Sequence, residues 1–157
     1  QLDSILDNAI SRKQQIVLTA HHPVYTISRH SRINKHNNLI RAKKIQDIYH
    51  PWYNSMRQKL DSIMVRKNYP IIYGCGHDHV LEYFKQGNVQ YIVSGSGSKS
   101  NPFDRKNAFN PEPLQDIPKN PVARQNEGFA EILFSAQTTT VTLYYFDNNV
   151  LTKELIR

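Results

Sequence analysis

Histidines that directly follow short apolar stretches are the feature that most constrains this sequence. Residues 73–79 read Tyr-Gly-Cys-Gly-His-Asp-His and come after the apolar residues 70–72, which predicts a buried strand running into a glycine-rich turn. Side chains two residues apart in an extended segment share a face, so His77 and His79 are predicted to point the same way. Neutral imidazole is a common metal ligand. The pair therefore indicates a metal site; the alternative is two surface histidines in a loop.

A second apolar stretch ends in the same manner. Residues 16–20 read Ile-Val-Leu-Thr-Ala and are followed by His21 and His22. Open α/β sheets bind ligands at the carboxyl ends of their strands, so we expect His21 to lie at the same sheet edge as His77. Because His22 follows directly, its side chain is predicted to point elsewhere and to pack against or support the ligands.

The remaining patterns predict an α/β domain. A helical pattern over residues 2–14 leads into the strand at 16–20, which favours a strand covered on both faces. Further helices are predicted over 39–49 and from Pro51 to 68 or 69. The second helix has a core-facing stripe of Trp52, Met56, Leu60, Ile63 and Met64. Strands are predicted over 80–85, 89–93, 129–134, 139–146 and 151–156, with an irregular loop over 98–127.

Composition limits the classes of function. A chain of 157 residues with 39% hydrophobic and 21% charged residues is long enough for one globular domain. The net charge of +7 indicates either an ordinary basic surface or attraction of phosphate-bearing substrates. Basic and aromatic residues are not interleaved, so no nucleic-acid partner is expected. No apolar run is long enough to predict a transmembrane segment. Cys75 is the single cysteine and is predicted to be a small packing residue.

The histidine blocks, taken in order, resemble those of a known enzyme superfamily. Residues 18–24 read Leu-Thr-Ala-His-His-Pro-Val, His30 lies nine residues after His21, and residues 76–79 read Gly-His-Asp-His. These blocks resemble the last two metal-binding blocks of the calcineurin-like metallophosphoesterases. Within that superfamily they are most similar to the purple acid phosphatases of the tartrate-resistant type. Residues 91–97 and 128–130 continue the resemblance, which covers most of the chain.

The resemblance implies a role for each of these residues. His21 and His77 would bind one metal ion and His79 a second, in a two-metal site that holds iron, zinc or manganese. His30 would contact the substrate phosphate and protonate the leaving group, a role for which imidazole is the usual side chain. Asp78, between two ligands, would orient a neighbour and not bind metal.

The resemblance also implies a fold and a reaction. The fold would be a four-layer αββα sandwich, of which this chain supplies the C-terminal sheet with its covering helices. The reaction would be metal-dependent hydrolysis of phosphate monoesters carried by small molecules or proteins, most often outside the cytoplasm. The related enzymes take carboxylate ligands from acidic blocks that lie earlier in their chains, and none of those blocks occurs in this sequence. We therefore expect residues 1–157 to be the C-terminal half of a single domain, inactive until an N-terminal half completes it.

Two other functions remain open on the same residues. A phosphodiesterase shares these blocks. A degenerate, non-catalytic domain would keep the fold, lose the acidic ligands and serve as a binding or scaffolding part of a larger assembly. Intact acidic blocks upstream would favour an enzyme over a scaffold.

A basic stretch follows His30. Residues 29–44 contain six lysines or arginines and no acidic residue. The stretch is either a solvated loop or a rim that draws anionic substrate toward the metals through Arg32, Lys35 and Arg41.

Overall fold

The computed structural model describes residues 1–31, 33–36, 39–42, 45–101, 118, 121–135 and 138–156. The helices are α1 (Leu2–Ser11) and α2 (Pro51–Arg66), with a 3₁₀ turn at Arg29–Ser31. The first five strands are β1 (Ile16–Ala20), β2 (Ile33–His36), β3 (Leu39–Ala42), β4 (Ile71–Cys75) and β5 (Leu81–Gln86). The others are β6 (Val89–Ser94), β7 (Val122–Arg124), β8 (Gly128–Phe134), β9 (Thr139–Asp147) and β10 (Val150–Ile156).

A mixed five-stranded sheet forms the centre of the fold. Its strand order is β1-β4-β6-β5-β7. β4 runs parallel to both β1 and β6, whereas β5 is antiparallel to β6 and to β7. A second, antiparallel sheet has the order β10-β9-β8, and β2 pairs with β3. The predicted hairpin between β5 and β6 is confirmed.

Alternation along the central strands builds two separate hydrophobic cores. In β4, Ile71 and Tyr73 join the core that contains α1 and α2, whereas Ile72 joins the core shared with the second sheet. Leu6 of α1 and Leu143 of β9 are among the buried residues of these two cores. The described layers are therefore helix, sheet and sheet, which confirms the α/β class. The central sheet therefore contributes to a core with the helices on one face and to a core with the second sheet on the other.

The prediction that both faces of β1 are covered is wrong. Ile16 is buried, but Val17, Thr19 and Ala20 are exposed. β1 is the edge strand of the sheet, with β4 as its neighbour. An apolar run is typical of central parallel strands, and it cannot by itself distinguish an edge from the centre.

The helix predicted over residues 39–49 is also wrong. β2 and β3 form an antiparallel pair in the register Ile33↔Ala42 to His36↔Leu39. Two asparagines separate these strands in the sequence, a composition typical of short hairpin connections. That turn signal, together with β-branched Ile33 and Ile40, favours a hairpin over a helix.

Only the C-terminal part of the α2 stripe lies in the core. Met64 is fully buried, and Leu60 and Ile63 pack against the helix-side core. Trp52 and Met56 are 76% and 49% exposed, so the prediction that they pack in the core is wrong. The apolar stripe continues along the helix beyond the part that contacts the sheet.

The predicted loop over 98–127 contains one strand, β7, and most of its other residues lie outside the described part.

The outer face of the second sheet exposes several large apolar side chains. Phe129 and Tyr144 stack on this face with their ring centroids 5.0 Å apart. Leu133, Phe146 and Leu155 are each more than half exposed. Both described helices pack in the other core, so neither covers this face.

Candidate metal centre

The two histidine blocks meet because their strands are parallel and in register. Ile16 pairs with Ile71 and Ala20 with Cys75, so β1 and β4 end at the same level. The backbone N–H of Gly76 donates to the carbonyl of His21 over 3.2 Å, which joins the chain just beyond the two strands. Side chains that follow these strands therefore emerge at one edge, where α/β sheets present ligand sites.

The turn after β4 is not extended. β4 ends at Cys75, and His77 has a φ of +64°, in the left-handed region that L-residues rarely adopt. The argument that His77 and His79 share a strand face therefore does not hold, because alternation requires extended backbone. The strained position is occupied by a histidine, although two glycines flank Cys75. Strain of this kind clusters at functional sites.

Three imidazoles converge at this edge. The ligand nitrogens of His21, His22 and His77 all lie within 4.8 Å of one another. His21 Nε2 is 3.0 Å from His77 Nδ1, and the rings of His22 and His77 are 4.2 Å apart between centroids. His22 was expected to point elsewhere. It joins the cluster because β1 ends at Ala20, so strand alternation no longer governs residues 21 and 22.

The environment favours the neutral form of His77 and of His22. Burial lowers the pKa of His77 to about 4, helped by the neighbouring histidines, of which His22 and His30 contribute most. Burial also lowers the pKa of His22, with further contributions from His21 and His30. A cluster of this kind cannot take up several protons, since each new cation would repel the others. Near neutral pH the nitrogen lone pairs of His22 and His77 are therefore available to a metal ion.

His79 and His30 lie on the wall of the adjoining cleft. This cleft encloses about 490 Å³ and is lined by His21, His30, Gly76, His77, His79, Gly95 and Asn101. The backbone of His79 is held by the N–H of Asn101, which donates to its carbonyl over 2.8 Å. His77 Nε2 and His79 Nδ1 are buried and have no hydrogen-bond partner among the described residues. Such nitrogens need a ligand, a water or an ion to replace their lost hydration.

His30 is buried between two carboxylates. Its Nδ1 lies 3.1 Å from Asp47 Oδ1, and its Nε2 lies 3.7 Å from Asp78 Oδ1. The His30 ring is also 4.6 Å from that of His77, between centroids. Asp78 is completely buried, and neither of its carboxylate oxygens has a hydrogen-bond partner among the described residues. Asp78, which was expected to orient a neighbour, thus lies beside His30, although Asp47 is nearer to that ring.

Glu82 is a buried acid close to the same turn. It is completely buried in β5, and its Oε1 accepts a hydrogen bond from the Ile27 N–H over 3.1 Å. Burial, and to a smaller extent the charge of Asp78, raises the pKa of Glu82 from 4.5 to about 8. Glu82 is therefore protonated in the folded protein at neutral pH.

Glu82→Gln is expected to remove a pH-dependent loss of stability. The folded protein holds the Glu82 proton more tightly than the unfolded chain, so stability falls as pH rises from 4.5 to about 8. The full loss is on the order of 4 kcal/mol. Glutamine resembles the protonated acid and does not ionise, so the variant should be the more stable protein above pH 8. Urea unfolding between pH 5 and 9 measures this difference in the free energy of unfolding. The exposed Glu131→Gln is the control. If stability depends on pH in the same way in the wild type and in Glu82→Gln, the prediction is contradicted.

Asp47 and Glu82 were not identified as candidates from the sequence. Asp47 lies 17 residues from His30, and no motif connects them. Glu82 lies in a strand beside Leu81 and Tyr83, and an acid within such an apolar run was the one signal that could have identified it. The proposed basic rim cannot be located, because Arg32 and the side chains of Lys35 and Arg41 lie outside the described residues.

Comparisons with known proteins provide a fold relationship. No protein-family model matches the chain. No curated protein matches it either. Among solved structures, the chain is similar to GAP50, the anchor in the inner membrane complex of Plasmodium, with a TM-score of 0.57 and 13% identity. The match covers 90% of this chain and 36% of that one, so this chain spans about a third of the length of the structure it matches. At this identity the likeness concerns the fold alone.

Neither helix in the described ranges is long and apolar enough to span a membrane.

Proposed function

We propose that this chain carries the histidine half of a metal-dependent phosphoester hydrolase. The observation that supports this most directly is the convergence of His21, His22 and His77 at the carboxyl ends of two parallel strands, beside a cleft. In order along the chain, these blocks resemble those of the calcineurin-like metallophosphoesterases. The proposed substrate is a phosphate monoester, with a phosphodiester as the alternative.

The histidines present fit a metal ion. Zinc forms bonds of about 2.0–2.1 Å to histidine nitrogen, so two nitrogens on one tetrahedral ion lie about 3.3 Å apart. The separation of 3.0 Å between His21 Nε2 and His77 Nδ1 is close to that value. Imidazoles suit zinc and iron, and manganese prefers added carboxylates. A bound ion would polarise a phosphoryl oxygen and supply a nucleophile at neutral pH.

Within this proposal, the residues of the chain have distinct tasks. His21, His22 and His77 would hold one ion, and His79, with an unpartnered Nδ1 on the cleft wall, would contribute to a second. His30 would bind the phosphate and pass a proton to the leaving group through Nε2, the nitrogen on the Asp78 side. The carboxylates that a two-metal site needs would come from an N-terminal half, which would also complete the four-layer αββα sandwich.

Metal binding by the 157-residue chain tests the first part of the proposal. Calorimetric titration with Zn²⁺, Fe²⁺ and Mn²⁺ at pH 7.5 should detect one ion per chain. His77→Ala should weaken the binding at least about a hundredfold, because one of three ligands is lost. His50→Ala, which lies outside the cluster, is the matched control. A chain that is folded but binds none of these ions would disprove the metal site.

Hydrolysis tests the second part. We expect no turnover of p-nitrophenyl phosphate by residues 1–157 alone, and chelator-sensitive turnover when an acidic N-terminal half is supplied. Robust hydrolysis by the isolated chain would show that the carboxylates come from residues 1–157 and not from an N-terminal half.

A non-catalytic role is the second candidate, and two observations favour it. The similar solved structure is described as an anchor in a membrane complex, and the described histidine cluster contains no carboxylate ligand. In this case the chain would be a binding part of a larger assembly. Complete protein that is folded and metal-loaded but hydrolyses neither monoesters nor diesters would favour this role.

A further inference from the structure

Ile48, the residue that follows Asp47, is held by hydrogen bonds at both its backbone N–H and its carbonyl. The Ile48 N–H donates to the His30 carbonyl over 2.9 Å, and Arg57 Nε of α2 donates to the Ile48 carbonyl over 2.9 Å. Ile48 and Arg57 are both buried. The 3₁₀ turn of His30 is closed in turn by Ser31, whose N–H and hydroxyl both donate to the Ser28 carbonyl. The Arg57 side chain of α2 and the backbone bond between Ile48 and His30 therefore hold Asp47 in place relative to His30.

The hydrogen bond between Asp47 and His30 indicates which nitrogen of the His30 ring carries the proton. Asp47 Oδ1 lies 3.1 Å from His30 Nδ1, and both residues are buried, with 2% and 6% of their surface exposed. With the Asp47 oxygen as the acceptor of this hydrogen bond, Nδ1 is the donor. In the neutral ring, Nε2 is then the nitrogen without a proton, and it is the one on the Asp78 side.

We propose that Asp47 is a positioning residue that holds His30 as its Nδ1–H tautomer, with Nε2 on the Asp78 side. This inference rests on the proposed function for its purpose: with its Nδ1–H bonded to Asp47, His30 takes up a proton at Nε2 and, from the protonated ring, passes it to the leaving group at that same nitrogen. The geometry itself does not depend on turnover. The hydrogen bond that a partner makes with one ring nitrogen of a functional histidine sets the protonation of the other nitrogen. A buried network of such bonds can contribute more free energy than the sum of its separate pairs.

The test is the protonation of the His30 ring nitrogens in the metal-free, ¹⁵N-histidine-labelled chain. Long-range ¹H–¹⁵N correlation spectra distinguish a protonated from an unprotonated Nδ1, and His30→Gln assigns the signal. We expect Nδ1 of His30 to be protonated in the wild type. In Asp47→Ala the ratio of Nδ1–H to Nε2–H tautomers should fall by about tenfold or more, as expected when a hydrogen bond to a charged group is lost. In Asp47→Asn, which keeps an acceptor oxygen, the tautomer should be retained.

The matched control is Asp61→Ala. Asp61 accepts hydrogen bonds from the Tyr25 and Tyr91 hydroxyls, so its loss should lower stability without changing the His30 ring. A wild-type Nδ1 without a proton would overturn the proposal, even if Asp47→Ala fails to fold. An unchanged tautomer ratio in folded Asp47→Ala would overturn it as well. Because this measurement needs no turnover, a lack of hydrolysis would count against the proposed function and not against the role of Asp47.

Discussion

Gly95→Ala is expected to destabilise the protein strongly and to displace the metal-binding turn. A Cβ at position 95 would lie 2.0 Å from the carbonyl oxygen of Asp78 and 2.9 Å from its carbonyl carbon. Both are backbone atoms of the turn that carries His77 and His79, and the Gly95 N–H also donates to the Val80 carbonyl over 3.1 Å. A methyl group can be accommodated only if this backbone moves. We expect a loss of about 3 kcal/mol or more in the free energy of unfolding.

Gly97→Ala is the matched control for this prediction. Gly97 lies two residues away, and a Cβ there would meet no atom within 4 Å. Its effect on stability should stay within about 0.5 kcal/mol. Urea unfolding measures both variants, and zinc titration reports whether the turn keeps its geometry. Equal unfolding midpoints for the two variants would show that Gly95 is not packed against the turn.

His22→Ala is expected to weaken binding of the first zinc ion at least about a hundredfold. His22 is one of three histidines whose ligand nitrogens lie within 4.8 Å of one another, and removing one ligand forfeits several kcal/mol of binding free energy. His79→Ala should have a much smaller effect on this first ion, since His79 is not in that group of three. Calorimetric titration of the chain with Zn²⁺ measures both affinities.

The reverse result would identify a different ligand set. If His79→Ala loses the ion and His22→Ala keeps it, the first ion is held by residues 21, 77 and 79. His50→Ala again controls for the loss of an imidazole elsewhere on the chain. Circular dichroism of each variant shows whether a weak affinity reflects a lost ligand or a lost fold.

The exposed outer face of the second sheet bears on the architecture. Leu133, Phe146, Leu151 and Leu155 on this face are each more than half exposed. Large apolar side chains exposed together on one face often mark a surface that packs against another element. A covering layer on this face is what the proposed four-layer sandwich would supply.

Local patterns in the sequence determined the main elements and the location of the site. The segments at 16–20 and 70–72 were predicted as strands and correspond to β1 and to the start of β4, and the β5–β6 hairpin follows from its turn signal and alternation. The placement of His21 and His77 at one edge could be predicted because side chains that follow parallel strands emerge together. These features depend on interactions between residues close in sequence, or on a general rule of sheet topology.

Only the tertiary structure decided which residues join the histidines. Asp47 contacts His30 because α2 holds the intervening backbone through Arg57, and no local pattern records that contact. His22 enters the cluster because β1 ends one residue before His21, and a shift of strand end by one residue changes the direction of a side chain. The edge position of β1 likewise depends on which strands pair, and Ile-Val-Leu is equally compatible with the centre of a sheet. Hydrophobic patterning specifies that a segment is buried, whereas its neighbours are selected by the packing of the whole chain.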